Sequence, residues 1–224
     1  MTINPLPSGS TIGILGGGQL GRMLSVAASR LGFKTHIFEP GANPPAGQVA
    51  HRVTTAPYCD LEALKAFATS VDVITFEFEN IPAEALDTVE KIRPVLPNRK
   101  ALATSQDRIT EKDFLTALGL HCAPYANVET AADLQAAVAK IGTPSILKTR
   151  RFGYDGKGQS RLKTAVDGQK AWEELGMTSC VLEGFVDFSI EVSVIGARAQ
   201  DGSVVCYDPG QNVHRDGILH TTTI

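Results

Sequence analysis

The chain has 224 residues, of which 43% are hydrophobic, so it can bury a core and is comfortable for one and a half or two domains. Its formal charge of -3 excludes a global field toward nucleic acid or an anionic membrane, and no apolar run is long enough to span a bilayer. Cys59, Cys122, Cys180 and Cys206 are widely spaced, with no C-x-x-C and no zinc pattern, and read as reduced, small, buried residues of a cytosolic protein.

Met1 to Ser10 is polar and lacks the apolar run of a signal peptide. Thr11 to Leu15 reads as a buried strand. Gly16-Gly17-Gly18-Gln19-Leu20-Gly21 follows, then a helical pattern to about Leu31 with Leu20, Leu24, Ala27, Ala28 and Leu31 on one face. Gly32 stops that helix. Thr35 to Phe38 is the next strand, ending in Glu39-Pro40 and completing a βαβ unit. Gly41 to Ala50 is a glycine- and proline-rich loop. Asp60 caps a helix from about Leu61 to Thr69, Val71 to Phe76 is a third strand, and Pro82 opens a helix to about Lys91. Val95-Leu96 reads as a last short strand. The alternation implies a doubly wound, Rossmann-like parallel sheet.

After Pro97 the pattern changes. Arg99 to Leu118 reads as two helical pieces broken near Thr104-Ser105 and ended by Gly119. A smaller unit starts near His121: strand Tyr125-Ala126, helix Ala131 to Lys140, strand Ser145 to Leu147, a glycine loop, strand Gln159 to Leu162, helix Val166 to Leu175 and strand Cys180 to Glu183. That is an α+β layer with helices on one face of an antiparallel sheet. Glu191 to Gly196 and Val204 to Tyr207 are further strands joined by a hairpin at Asp201-Gly202. Thr221 to Ile224 is a strand-like run with nothing after it, which suggests a chain cut short.

Several stretches carry chemistry. Gly16-x-Gly18-x-x-Gly21 between a strand and a helix matches the dinucleotide fingerprint, with Glu39 where a ribose-binding acid belongs. Its physical content is that backbone N–H groups at a helix N-terminus bind an anion, and a ribonucleotide phosphate would serve as well. Glu77, Glu79 and Asn80 lie at the C-terminal end of a strand, where open α/β sheets bind ligands; Glu77 and Glu79 share a side if the strand persists, or one of them caps the helix at Pro82. Asp107 is a helix cap, with Arg108 and Lys112 on one face. Lys148 precedes Gly153-Tyr154-Asp155-Gly156-Lys157-Gly158-Gln159, a mobile loop suited to a polyphosphate or a basic, solvated hairpin tip. Lys148, Arg150, Arg151, Lys157, Arg161 and Lys163 cluster there against Asp155 alone, which fits a small anionic ligand. Glu191 enters an apolar strand, as a ribose acceptor or an edge gatekeeper. His214 sits in the polar turn Asn212 to Gly217.

In this order these motifs, with Glu183-Gly184-Phe185-Val186 and Asn212-Val213-His214-Arg215-Asp216-Gly217-Ile218-Leu219, resemble the ATP-grasp ligases from Thr11 to Ile224, and within them the N5-carboxyaminoimidazole ribonucleotide synthases. The resemblance implies a pre-ATP-grasp substrate domain over residues 1–103 and an ATP-grasp domain over 104–224, with a lid at about 121–186 and the start of a larger subdomain at 187–224. It implies an ATP-dependent carboxylation of 5-aminoimidazole ribonucleotide by bicarbonate, through carboxyphosphate, in a cytoplasmic homodimer of the purine pathway. Arg108, Lys148 and the lid Gly153 to Gln159 would hold ATP phosphates. Glu183 to Val186 would form the adenine hinge, Glu191 would hold the ribose, and His214 would be a further nucleotide contact. Gly17, Gly18, Gln19 and Leu20 would cradle the substrate phosphate, and Glu77, Glu79 and Asn80 would face the imidazole and bicarbonate, with Tyr154 nearby and Glu77 and Tyr154 as the catalytic residues. Family members continue past Ile224, where their magnesium ligands lie, so the resemblance implies impaired activity for these 224 residues. An NAD-binding oxidoreductase domain and a non-catalytic nucleotide-binding module are the competing readings.

Overall fold

Strand β1 (Thr11–Leu15) is the inner strand from which the first sheet grows: β2 (Lys34–Glu39) pairs on one side, β4 (Val73–Phe76) on the other, and β3 (Arg52–Thr55) extends beyond β2. The order β3-β2-β1-β4 is parallel throughout. The structure is a computed structural model and describes residues 5–153, 156–215 and 217–224. Tyr154, Asp155 and Asp216, and the first four residues of the segment read as lacking a signal peptide, lie outside the described residues.

Two compact units divide at Gln106/Asp107. In the first, alternation along β1 and β2 sends Ile14 and Ile37 to one face, against Ala46 of the short 3-10 turn Pro45–Gln48. Leu15 and Phe38 go to the other face. There they join Leu64 and Phe67 of α2 (Leu61–Thr69), Leu86 and Val89 of α3 (Ala83–Val89), and Leu102 of α4 (Arg99–Ser105). Asp60 caps α2 by accepting from Ala63 N at 3.0 Å.

Four expectations change here. No element is expected between the loop ending at Ala50 and Asp60, yet β3 forms there; Val53 is its one large apolar residue, and backbone pairing to β2 makes the strand. Val95 forms a single parallel bridge to Ile74 rather than a strand. Helix α1 (Gln19–Arg30) buries Gly21, Ser25 and Ala28, while Leu20, Leu24 and Leu31 of the expected inner face are exposed. Small residues on the buried side let the helix lie close to what it packs on. Cys180 is buried, but Cys122 is half-buried and Cys59 and Cys206 are exposed, because the last two lie in a turn before α2 and in a thinly packed strand.

The second unit opens with α5 (Arg108–Ala117), then β5 (Tyr125–Val128), α6 (Ala131–Ile141), β6 (Ser145–Thr149), β7 (Gln159–Leu162), α7 (Asp167–Glu174) and β8 (Cys180–Gly184). The sheet order is β5-β8-β6-β7, antiparallel throughout. Thr130 and Asp133 form a capping box that starts α6. Leu134, Ala137, Val138, Ala171 and Trp172 of α6 and α7 pack on Leu147, Leu162, Cys180 and Leu182. The alternate positions Lys148 and Glu183 therefore fall on the opposite face.

The segment expected as one strand from Glu191 to Gly196 is β9 (Glu191–Ser193) and β10 (Gly196–Arg198), and β10 pairs with β11 (Val204–Cys206). Most of the polar turn expected at Asn212 to Gly217 is instead strand β12 (Gly210–Arg215), paired with β9 and with β13 (Ile218–Thr223). Backbone pairing on both sides of β12 outweighs its turn-like composition.

Candidate functional site

The glycine turn follows β1 at the point where neighbours on opposite sides of the sheet diverge, the place where open α/β sheets take ligands. Its donors are met by the protein's own carboxylates. Gly17 N donates to Glu39 Oε2 (2.8 Å), Gly18 N to Glu77 Oε1 (2.7 Å) and Gly21 N to Glu77 Oε2 (2.5 Å). A Cβ on Gly16 would sit 2.4 Å from Glu77 Cγ, and one on Gly18 2.8 Å from Glu77 Oε1. Glu77 lying in the turn is thus a direct reason for those two glycines.

This placement corrects two expectations. Glu39 is not a free ribose acceptor; its second oxygen takes Gly41 N at 2.9 Å. Glu77 does not share a side with Glu79 by alternation, because β4 ends at Phe76. Glu79 Oε1 accepts from Asn80 Nδ2 at 3.0 Å, and no residue among 77–80 caps α3. Gln106 Nε2 fixes this loop through Glu79 O (2.6 Å) and Ile81 O (2.7 Å). Gln19 and Leu20 open α1, where N–H groups have no intrahelical acceptor.

Sequence reasoning missed Tyr58. Its ring stacks on Phe38 with centroids 5.6 Å apart, and its hydroxyl is buried without a partner among the described residues. Burial, then the charges of Glu39 and Glu77, push its pKa up. Nothing in the local pattern marks it.

In the second unit the centre is Glu183, 7% exposed, with Lys148 Nζ at 2.8 Å and Lys112 Nζ at 3.1 Å. Burial alone would raise the Glu183 carboxyl; the bond and charge of Lys148, then those of Lys112, outweigh burial and hold it below the ordinary range. Lys112 shares a helix face with Arg108, as the i, i+4 spacing predicts, and its ammonium pairs with Glu183. Arg108 Nη2 reaches Gly153 O at 3.4 Å. Thr149 N donates to Gly158 O (2.8 Å) and closes the base of the glycine loop, where Gly156 and Gly158 have φ of 74° and 68°. Gln159 pairs with Lys148 across β6 and β7. Lys157 belongs to the described part of the loop, while Tyr154 and Asp155 do not.

The basic cluster is not a free positive surface. Lys148 pairs with Glu183, Arg150 with Asp107 and Glu129, and the Arg161 guanidinium lies 4.3 Å from the Phe185 ring centroid. The segment Glu183 to Val186 is tied by its backbone: Gly184 N donates to Pro124 O (2.8 Å) and Phe185 N to Pro144 O (3.2 Å), while Val186 is half exposed. Glu191 Oε1 lies 3.2 Å from His214 Nδ1 across β9 and β12. No hydrogen bond or ion pair among the described residues joins that pair to the Glu183 group.

The ATP-grasp domain family matches residues 113–224, and the ribonucleotide synthetase preATP-grasp domain family matches residues 9–106. The chain belongs to the ATP-grasp family. An N5-carboxyaminoimidazole ribonucleotide synthase from Brucella melitensis is 50% identical over 221 residues, covering 98% of this ATP-grasp chain and 61% of the relative. The N5-carboxyaminoimidazole synthetase of Staphylococcus aureus complexed with ADP superposes with a TM-score of 0.94 at 36% identity, covering 99% of this chain and 59% of that one. The Aspergillus clavatus synthase in complex with ADP and 5-aminoimidazole ribonucleotide gives a TM-score of 0.84 at 27% identity, covering 95% and 56%. The ATP-grasp chain therefore spans about three-fifths of the length of the Brucella and Staphylococcus relatives.

Proposed function

We propose that the protein containing this chain carboxylates 5-aminoimidazole ribonucleotide with bicarbonate in an ATP-dependent reaction. The observation that carries this reading is the match over 98% of this chain to an N5-carboxyaminoimidazole ribonucleotide synthase, and the buried Glu183 carboxylate between Lys148 and Lys112, in the same unit as Arg108 and the glycine loop, supports its nucleotide half. Glu183 keeps the Lys148 ammonium in place as a point charge for nucleotide phosphate, and Arg108 offers a planar fork beside Gly153. Glycines in Gly153 to Gln159 let the loop backbone approach phosphate oxygens and exclude water, which matters because carboxyphosphate hydrolyses readily. Tyr154 and Asp155 are assigned to the same loop.

Glu183 to Val186 serve the adenine as a hinge. Glu191 accepts from ribose hydroxyls, and His214 holds its carboxylate. On the other side of the reaction, Gly17, Gly18, Gln19 and Leu20 form the cradle for the ribonucleotide phosphate, with Gln19 and Leu20 offering the N–H groups at the start of α1 while Glu39 and Glu77 hold Gly17 and Gly18 in the turn. Glu79 and Asn80 face the imidazole and bicarbonate. ATP supplies the phosphoryl group that activates bicarbonate. Among the described residues no three His, Cys, Asp or Glu side chains converge on a cation site, and the reading places the ligands of magnesium, which would neutralise phosphate charge, outside these 224 residues.

The same reading assigns residues 1–103 to the ribonucleotide and 104–224 to ATP, in a cytoplasmic homodimer. The test is ADP release by the whole protein. Release should require bicarbonate and rise with 5-aminoimidazole ribonucleotide; release indifferent to both, or NADH binding in place of ATP binding, overturns the reading.

A further inference from the structure

Arg150 ends the β6 side of the glycine loop and is among the most heavily bonded side chains of its unit. Its Nε donates to both Asp107 oxygens (3.1 and 2.9 Å), and Nη2 lies 2.8 Å from Asp107 Oδ2. Nη1 lies 2.7 Å from Glu129 Oε1 and 3.3 Å from Asn127 Oδ1. Its backbone is held as well: Arg150 N donates to Ser179 O and Arg108 N donates to Arg150 O, both at 3.0 Å. Glu129 is fixed in turn by Ser179 Oγ at 2.6 Å, and Asp107 caps α5 through Ile109 N and Thr110 N.

The guanidinium thus ties the end of β6 to the start of α5 and the end of β5, and the Arg150 backbone adds the residue before β8. A lysine offers a single ammonium and cannot span those acceptors in one plane. Burial would raise the Asp107 carboxyl, but its bond to Arg150 and its cap bonds outweigh that and hold it low. The next residue, Arg151, is exposed, with its guanidinium 5.2 Å from the Phe152 ring centroid. Of the two adjacent arginines, Arg150 is therefore the one built into the frame.

What the frame holds is Arg108. Its N–H bonds to Arg150 O, and its guanidinium reaches Gly153 O, so both ends of Arg108 are set by the β6-to-loop segment. We infer that Arg150 is a positioning residue for the phosphate end of the nucleotide site, acting through Arg108 and the root of the glycine loop. The inference rests on the nucleotide reading given above.

The test compares ATP with adenosine, by calorimetry on the whole protein, for wild type, Arg150→Lys, Asp107→Asn and the double variant. Each single variant should weaken ATP binding about tenfold or more, as expected when a phosphate partner is misplaced, and leave adenosine binding unchanged. The double variant should be no weaker than the worse single, because both break one clamp. Asp107→Asn keeps a side-chain cap for α5 and carries the same expectation if Arg150→Lys fails to fold. Equal losses for ATP and adenosine, or unchanged ATP affinity in a folded variant, overturn the role of Arg150. Wild-type protein that binds neither ligand overturns the nucleotide reading and this inference together.

Discussion

His36 lies on β2, 1% exposed, with Nδ1 2.8 Å from Ser70 Oγ and Nε2 2.8 Å from Thr54 Oγ1. Ser70 Oγ donates to Phe67 O, so it accepts from Nδ1–H, and Nε2 accepts from Thr54. Burial, then the charge of Arg52, lowers the imidazole pKa to about 4 from 6.5. Below pH 6.5 the unfolded chain therefore binds a proton that the folded one refuses. Stability should be flat above that pH and fall by about 3 kcal/mol as pH drops toward 4. Urea denaturation across this range checks the slope, and His36→Gln should flatten it. A second prediction concerns Lys148→Met. It leaves Glu183 with Lys112, so the loss should be less than the 3–5 kcal/mol typical of an orphaned buried charge, while ATP affinity falls. Unchanged affinity in the folded variant would remove Lys148 from the nucleotide site. At this scale caps and glycines were legible, as Asp60, Asp107 and Gly32 show. The destination of Glu77 was not, because its partner Gly18 lies 59 residues away and no local pattern encodes that meeting.

Helix α1 separates periodicity from burial. The leucines at Leu20, Leu24 and Leu31 recur at helical spacing, yet Leu24 is 41% exposed and Ser25 is 1% exposed. Leu24→Gln should therefore change the stability of this chain by less than about 0.5 kcal/mol. Ser25→Leu adds volume to a closed contact and should cost about 1–3 kcal/mol. Thermal unfolding of the two variants distinguishes the faces, and a large loss for Leu24→Gln would restore the leucine face as the core face. The Gly16 to Gly21 turn obeys the same closeness. Gly18→Val drives a side chain into Glu77 and should weaken ribonucleotide binding while sparing ATP, as calorimetry with each ligand would show. Elements with a strong local signature, such as α2 after Asp60 or α6 after its capping box, were legible to within a residue or two. Strands β3 and β12 were not. Their residues are short or turn-like, and their conformation comes from partners distant in sequence, β2 for the one and β9 for the other.

The second unit contains two layers of unequal support. Strands β6 and β8 carry Leu147 and Leu182, both fully buried beneath α6 and α7. Strands β9 to β13 carry Val192, Val205, Ile218 and Leu219 in the open, and β13 has a partner on one side only. Backbone hydrogen bonds in such a layer open without uncovering much buried apolar surface, so opening costs little there. In this 224-residue chain, hydrogen exchange should be fast across 191–224 and slow in β6 and β8, where exchange requires loss of the helix-covered core. Glu191 and His214 stand on the fast layer, whereas Lys148 and Glu183 stand on the slow one. A nucleotide that engages both groups should then slow exchange most at β9 and β12, because ordering is gained where the free chain is loosest. Added ADP that protects β6 and β8 alone would confine the ligand to the Lys148 group and remove Glu191 and His214 from the site.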